Sequence, residues 1–173
     1  DLGSGYWMGK EVFIKLSGLE REKFSRVDVE EVLDLVQNHF GESDLSILLD
    51  SIMKSNDSVR NIASISKSII DLAESKNELA ISIVQESTSH ISDYLLSLLD
   101  IIEYNSFDIV AISNGSIINN KFYQRMINKE FLKKQIIYRA THRGSKEMDI
   151  LLGQFAKKHI KDLNIEELKD LNK

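Results

Sequence analysis

The 173-residue chain predicts a mainly α protein built of two unequal helical units, and three observations carry that expectation. Apolar residues recur every three or four positions along most of the chain, the spacing of one buried helix face. No proline interrupts it anywhere. Charge is also unevenly divided. Residues 1–124 hold 10 Lys and Arg against 20 Asp and Glu, while residues 125–173 hold 12 against 7. An acidic front and a basic rear suggest two pieces of different origin, with expected domains at 1–125 and 126–173.

The chain opens on Asp1-Leu2-Gly3-Ser4-Gly5-Tyr6-Trp7-Met8-Gly9, a glycine-rich turn running into a helix. Bare backbone of this kind lets N–H groups approach an oxygen-rich ligand, and a helix start favours anions. A glycine-rich chain end has the same composition. Tyr6 and Trp7 suit the lining of a sugar site, and suit packing between helices better.

Helical spacing follows in four stretches. Residues 27–40 carry Val29, Val32, Leu33, Val36 and Phe40, with Gly41 as the stop. Residues 45–53 form a short apolar helix. Residues 58–73 align Ile62, Ile65, Ile69 and Leu72 on one stripe. Residues 77–104 carry Val84, Ile91, Leu95, Leu98 and Ile102. Ser64, Ser66, Ser68, Ser87 and Ser89 are expected mostly on the solvated sides. The period then changes: residues 107–112 are β-branched and predict one buried strand, bounded by Ser113-Asn114-Gly115-Ser116. A helix is expected from about Asn119.

In the rear, a basic helix spans 127–142 and meets a glycine corner, His142-Arg143-Gly144-Ser145-Lys146-Glu147. Gly144 suits the position just past a helix end, where φ is often positive. Ser145 suits the cap of the next helix, and Glu147 and Asp149 fall in its first turn, where the helix dipole favours acids. Met148, Leu151, Leu152, Phe155, Ala156, His159 and Ile160 then form one stripe of a helix over 146–161. Asn164 and Glu167 form a capping box for a third helix, with Leu168 and Leu171 facing inward. A corner that only packs two helices would carry the same pattern.

Composition excludes several chemistries. With no cysteine there is no disulfide and no thiolate nucleophile or ligand. His39, His90 and His159 have no metal-ligand spacing, so no metal is expected. Neither a catalytic triad, nor a Walker loop, nor GxGxxG is present. No secretory leader or spanning apolar run is seen, so no membrane insertion and a cytoplasmic location are expected. The rear cations are spread over amphipathic helices, and nucleic acid is not the expected partner.

The corner Arg143-Gly144-x-x-Glu147, with Tyr138-Arg139 before it and Leu151-Leu152-Gly153-Gln154-Phe155 after it, resembles the succinate dehydrogenase assembly factors of the SdhE type. That resemblance implies a five-helix bundle of which three helices precede Lys173. It implies docking on the flavoprotein subunit through Arg143, Gly144 and Glu147, with His142 a further interface donor, and promotion of covalent FAD attachment. FAD would then be handled through the partner, with no cofactor held tightly by the chain. Glu147 as an ordinary first-turn acid and His142 as an ordinary exposed side chain are the plainer readings of those two positions.

The front resembles the carboxyl half of the BadF/BadG/BcrA/BcrD-type ATPases and N-acetylglucosamine kinases, a lobe of the actin-like superfold. The likeness lies in Asp1-x-Gly3-Ser4-Gly5-Tyr6-Trp7 and in Ile112-Ser113-Asn114-Gly115-Ser116. It implies Asp1 on sugar hydroxyls, Gly115 and Asn119 on a nucleotide, and Ala63 on the adenine-facing wall, with ATP as the ligand. The family's phosphate loops and catalytic aspartate have no counterpart here, so no kinase turnover is expected. The chain is thus expected to be an assembly factor fused to an inactive kinase remnant, with Asp1 and Lys173 as cut ends. The alternative is the nucleotide-binding lobe of such an ATPase or amino-sugar kinase with an incidental tail.

Overall fold

The computed structural model describes residues 2–101, 115–142 and 144–172. Every regular element among them is helical: α1 (Gly5–Ser17), a 3-10 turn (Leu19–Lys23), α2 (Arg26–Phe40), α3 (Leu45–Lys54), α4 (Ser58–Ser64), α5 (Ser66–Glu74), α6 (Glu78–Ile101), α7 (Lys121–Ala140), α8 (Lys146–His159), a short 3-10 turn (Ile160–Asp162) and α9 (Ile165–Leu171). The mainly helical expectation holds. The strand expected at 107–112, with Ser113 and Asn114, lies outside the described residues, as do Asp1 and Arg143.

The glycine-rich opening is an internal packing surface. Gly3 has φ +80, and a Cβ there would stand 2.8 Å from Ile91 Cγ1 and 2.9 Å from the Ser87 carbonyl oxygen. Gly9 lets α1 cross α4 with almost no gap, since a Cβ would fall 2.0 Å from the Ile62 carbonyl oxygen. The glycines therefore admit α6 and α4, and no space at Gly3 or Gly9 is left for an oxygen-rich ligand. Ser4 caps α1 by accepting from the Trp7 N–H. Trp7 is buried edge-on against His90, in the packing role that suits it better than a sugar site.

The expected helix over 58–73 breaks at Ile65 into α4 and α5. Two hydroxyls take over helical carbonyls there: Ser64 Oγ donates to Asn61 O at 2.6 Å and Ser66 Oγ to Ala63 O at 2.7 Å. Such local bonds compete with the helical ladder. Ile62, Ile65 and Ile69 remain buried on one side, as their spacing required.

One core runs from Trp7 to Ile127, drawing Met8, Val12, Val32, Val36, Ile65, Ile70, Leu79, Ile83 and Tyr123 together. Its long central member is α6, which packs against α5, α1 and above all α7. The serines on α6 contradict the solvated expectation in part. Ser87 is buried, and so are Thr88 and Ser92. Ser87 Oγ donates to the Gly3 carbonyl at 3.0 Å and meets the Tyr123 hydroxyl, which itself lies 3.1 Å from the same carbonyl. Small hydroxyls let α6 and α7 approach closely while each of them finds a hydrogen-bond partner.

Asn120 caps α7 by accepting from the Tyr123 N–H. The helix then runs 20 residues without interruption, through the boundary expected between 125 and 126. Arg125 reaches Glu74 of α5 at 3.1 Å. No described helix is long and apolar enough to cross a membrane.

Candidate functional site

Two caps build the glycine corner. At the end of α7, the Thr141 hydroxyl lies 3.0 Å from both the Ile137 and Tyr138 carbonyls. The Thr141 N–H reaches the Ile137, Tyr138 and Arg139 carbonyls, closing the last turn. His142 folds back over that turn: its Nδ1–H donates to Tyr138 O at 2.8 Å, and the two rings stack with centroids 4.1 Å apart. Gly144 has φ +91, a conformation that side-chain-bearing residues rarely adopt. Ser145 accepts from the Met148 N–H and starts α8. Gly144, the Ser145 cap and the acidic first turn are placed as the sequence required.

The corner opens onto a concavity of about 550 Å³ lined by Thr141, Gly144, Lys146, Asp149, Ile150, Gly153, Gln154 and Lys157. Among the described residues, and apart from its chain neighbours, nothing lies within 4 Å of the point where a Gly144 Cβ would stand. A visitor can therefore come to bare backbone there. Lys146 and Lys157 bracket this surface, about three helical turns apart on one face of α8. Glu147 and His142 are both exposed but do not line the concavity.

The seating of α8 differs from the stripe its periodicity suggests. Leu152 and Ala156 are half-buried and Ile160 is buried, but Leu151 is 64% and Phe155 63% exposed, with Met148 beside them. The helix packs along an edge centred on Gly153, its one fully buried residue, so the Met148–Leu151–Phe155 line points away from α7. A hydrophobic period locates an apolar face and does not say that a neighbour covers it. Leu171 is likewise 61% exposed, whereas Leu168 is fully buried on α9 beneath the expected Asn164–Glu167 capping box.

Sequence reasoning missed the contact between Gly153 and Thr141. The signal was available: a lone glycine inside a helical pattern costs about 1 kcal/mol against alanine and calls for a packing reason.

The residues expected on a nucleotide lie at two places among the described residues, Gly115 and Asn119 ahead of α7 and Ala63 on α4. Gly115 and Asn119 are exposed, and the concavity beside Gly144 is lined by other residues. Ala63 sits where α4 meets α1, its carbonyl accepting from Ser66 and lying 3.6 Å from the position a Gly5 Cβ would take. Among the described residues there is no group of three His, Asp or Glu placed to hold a metal ion.

Residues 134–173 match the model of a protein family described as Sdh5, flavinator of succinate dehydrogenase. The match begins inside α7 and takes in the whole corner, α8 and α9. No curated protein and no solved structure matches the chain. Nothing found by comparison reaches residues 1–133, and the likeness of the front to an ATPase lobe is without support.

Proposed function

We propose that the rear of the chain acts as an assembly factor for the flavoprotein subunit of succinate dehydrogenase, docking through the Gly144 corner and promoting covalent attachment of FAD. The observation that carries this reading is the flavinator-family match over residues 134–173, which spans a corner whose backbone stands open at Gly144. The chain is not required to bind FAD itself. Holding the flavoprotein so that its FAD and the acceptor side chain are aligned removes part of the entropic barrier to bond formation.

Within this reading the partner-binding residues are Arg143, Gly144, Glu147 and His142. Gly144 supplies close backbone approach. Arg143 offers a forked donor set for a carboxylate or carbonyl of the partner. Glu147, exposed in the first turn of α8, takes a donor across the interface or braces Arg143. His142 is exposed and has Nδ1 committed to Tyr138 O, so Nε2 is the ring nitrogen it would offer a partner. The cytoplasm, where the flavoprotein is matured in this reading, is the compartment proposed for it.

Substitution Gly144→Arg tests the reading. It strains the backbone at φ +91 and fills the open approach. In cells lacking their own assembly factor, the wild-type chain should restore flavin fluorescence on the denatured flavoprotein subunit, and the variant should lower it by roughly tenfold or more. Equal flavinylation by both would end the docking role. Failure of the wild-type chain to restore any would end the function itself.

A further inference from the structure

We propose that Gly153 is a positioning residue, and that its size-matched contact with Thr141 holds the Gly144 corner in the arrangement a partner recognises. The inference rests on the docking role proposed for that corner and adds a residue outside the corner motif.

The contact is tight and one-sided. A Cβ added at Gly153 would stand 2.6 Å from Thr141 Cγ2 and 3.8 Å from Thr141 Cβ. Ordinary carbon contacts lie at 3.4 Å or more. Thr141 has no easy way to retreat. Its hydroxyl and N–H both close the end of α7, and turning its methyl aside takes the hydroxyl off the Ile137 and Tyr138 carbonyls. The remaining way to relieve added bulk is to move α8.

Movement of α8 is movement of the site. The chain from Thr141 to Gly153 is a closed excursion that carries His142, Arg143, Gly144 and Glu147. Thr141 and Gly153 also form part of the wall of the concavity beside Gly144, so the same contact sets its depth. A mid-helix glycine can also mark a break in the helix, and Gly153 does not. Around it α8 runs continuously from Lys146 to His159, and the residue itself is buried.

The test is a size exchange. Gly153→Ala adds a methyl, Thr141→Ser removes the opposing methyl while keeping the capping hydroxyl, and the double variant does both. Each is titrated against purified succinate dehydrogenase flavoprotein subunit well below its unfolding temperature, with helix content followed by circular dichroism. Gly153→Ala should bind roughly tenfold or more weakly, Thr141→Ser about as the wild type, and the double variant close to the wild type. A Gly153→Ala affinity equal to wild type, or a double variant no better than Gly153→Ala, overturns the inference. The second result would also be expected if the partner touched Gly153 directly. Should Gly153→Ala lose helix, recovery in the double variant supports the interlock and lack of recovery refutes it.

A partner-free readout separates the positioning role from the docking role. In the free protein, the amide resonances of Gly144 to Glu147 should shift in Gly153→Ala and return in the double variant. If wild type fails to bind the flavoprotein but those shifts appear, the docking role falls and the positioning role stands. If wild type binds and the shifts are absent, the positioning role falls alone.

Discussion

The crossing of α1 over α4 gives the sharpest stability prediction, through Gly9→Ala. An alanine Cβ would sit 2.0 Å from the Ile62 carbonyl oxygen, 2.8 Å from its carbonyl carbon and 2.9 Å from its Cγ2. The shortest of these falls short of ordinary contact by about 1.4 Å. Two of the three atoms are backbone, so no rotamer change clears the way. The helices must part, and the fully buried Met8 and Val12 lie beside the opening. Overpacking of a close-packed interior costs typically about 1–3 kcal/mol, and a backbone clash belongs at the upper end. Alanine recovers about 1 kcal/mol of helix propensity over glycine. The net expectation is a loss of about 2 kcal/mol, a large share of the roughly 5–15 kcal/mol that holds a domain folded.

Urea unfolding followed at 222 nm measures this directly. Gly9→Ala should lower the midpoint at unchanged slope, whereas Lys10→Ala, at the exposed neighbouring position, should stay within about 0.5 kcal/mol of wild type. A Gly9→Ala midpoint equal to or above wild type would show that α1 and α4 do not cross at this residue.

Two further predictions concern the polar contacts of the core. Tyr123→Phe removes one hydroxyl but leaves Ser87 and the Gly3 carbonyl bonded to each other, so it should cost about 1 kcal/mol and lower Tm by roughly 2–4 °C; calorimetry showing no change would mean the buried hydroxyl adds nothing over its bonds to water. Lys15, buried on α1, donates to Glu86 at 2.8 Å and to Glu20 at 3.1 Å. Burial pulls its pKa down, but the two carboxylates more than offset this and hold it above 10.5, while Lys23 first and Lys15 second hold Glu20 below 4.5. The lysine's contribution is complete below pH 10.5 and fades as pH rises through its folded value; that of Glu20 is complete above pH 4.5 and fades as pH falls through its folded value. In Lys15→Met the alkaline loss should shrink to the part owed to Tyr123, whose burial holds its hydroxyl above 10.0, and the acid loss should shrink to the part owed to Lys23. Unfolding midpoints from about pH 3 to 11 check this, and wild-type and variant curves that stay parallel would refute it.

Most helices and their caps were legible because they depend on a few neighbouring residues. Gly41 in the left-handed region, Gly144 at φ +91, the Ser145 cap and the Asn164–Glu167 box are all local devices, and each is where the sequence required it. What was not legible depends on residues far away in the chain. A glycine that admits a ligand and a glycine that admits another helix carry the same letter, and Gly3 and Gly9 turned out to face α6 and α4. Ser87 looked solvated because nothing near it in sequence announces Tyr123 and the Gly3 carbonyl. The stripe Met148–Leu151–Phe155 was legible as apolar, but its exposure was not, because the edge on which α8 rests is fixed by Gly153 against Thr141; Leu171, expected inward, is exposed too. The corner itself was legible, and the contact that seats it was not.

The course of α7 ties the front of the chain to the corner. The helix is about 30 Å long by its 20 residues. Its first two turns lie in the main core, with Tyr123 fully buried and Ile127 nearly so, and its last turn ends at Thr141 beneath the corner. Neither glycine nor proline interrupts it. The flavinator-family match starts at residue 134, beyond the midpoint of the helix. The matched segment therefore receives the front half of its first helix, with the Asn120 cap and the packing of α6, from residues that the match does not cover. Short helices in water owe most of their stability to such packing rather than to propensity. The acidic front, whatever its origin, thereby serves as the base from which α7 presents Gly144.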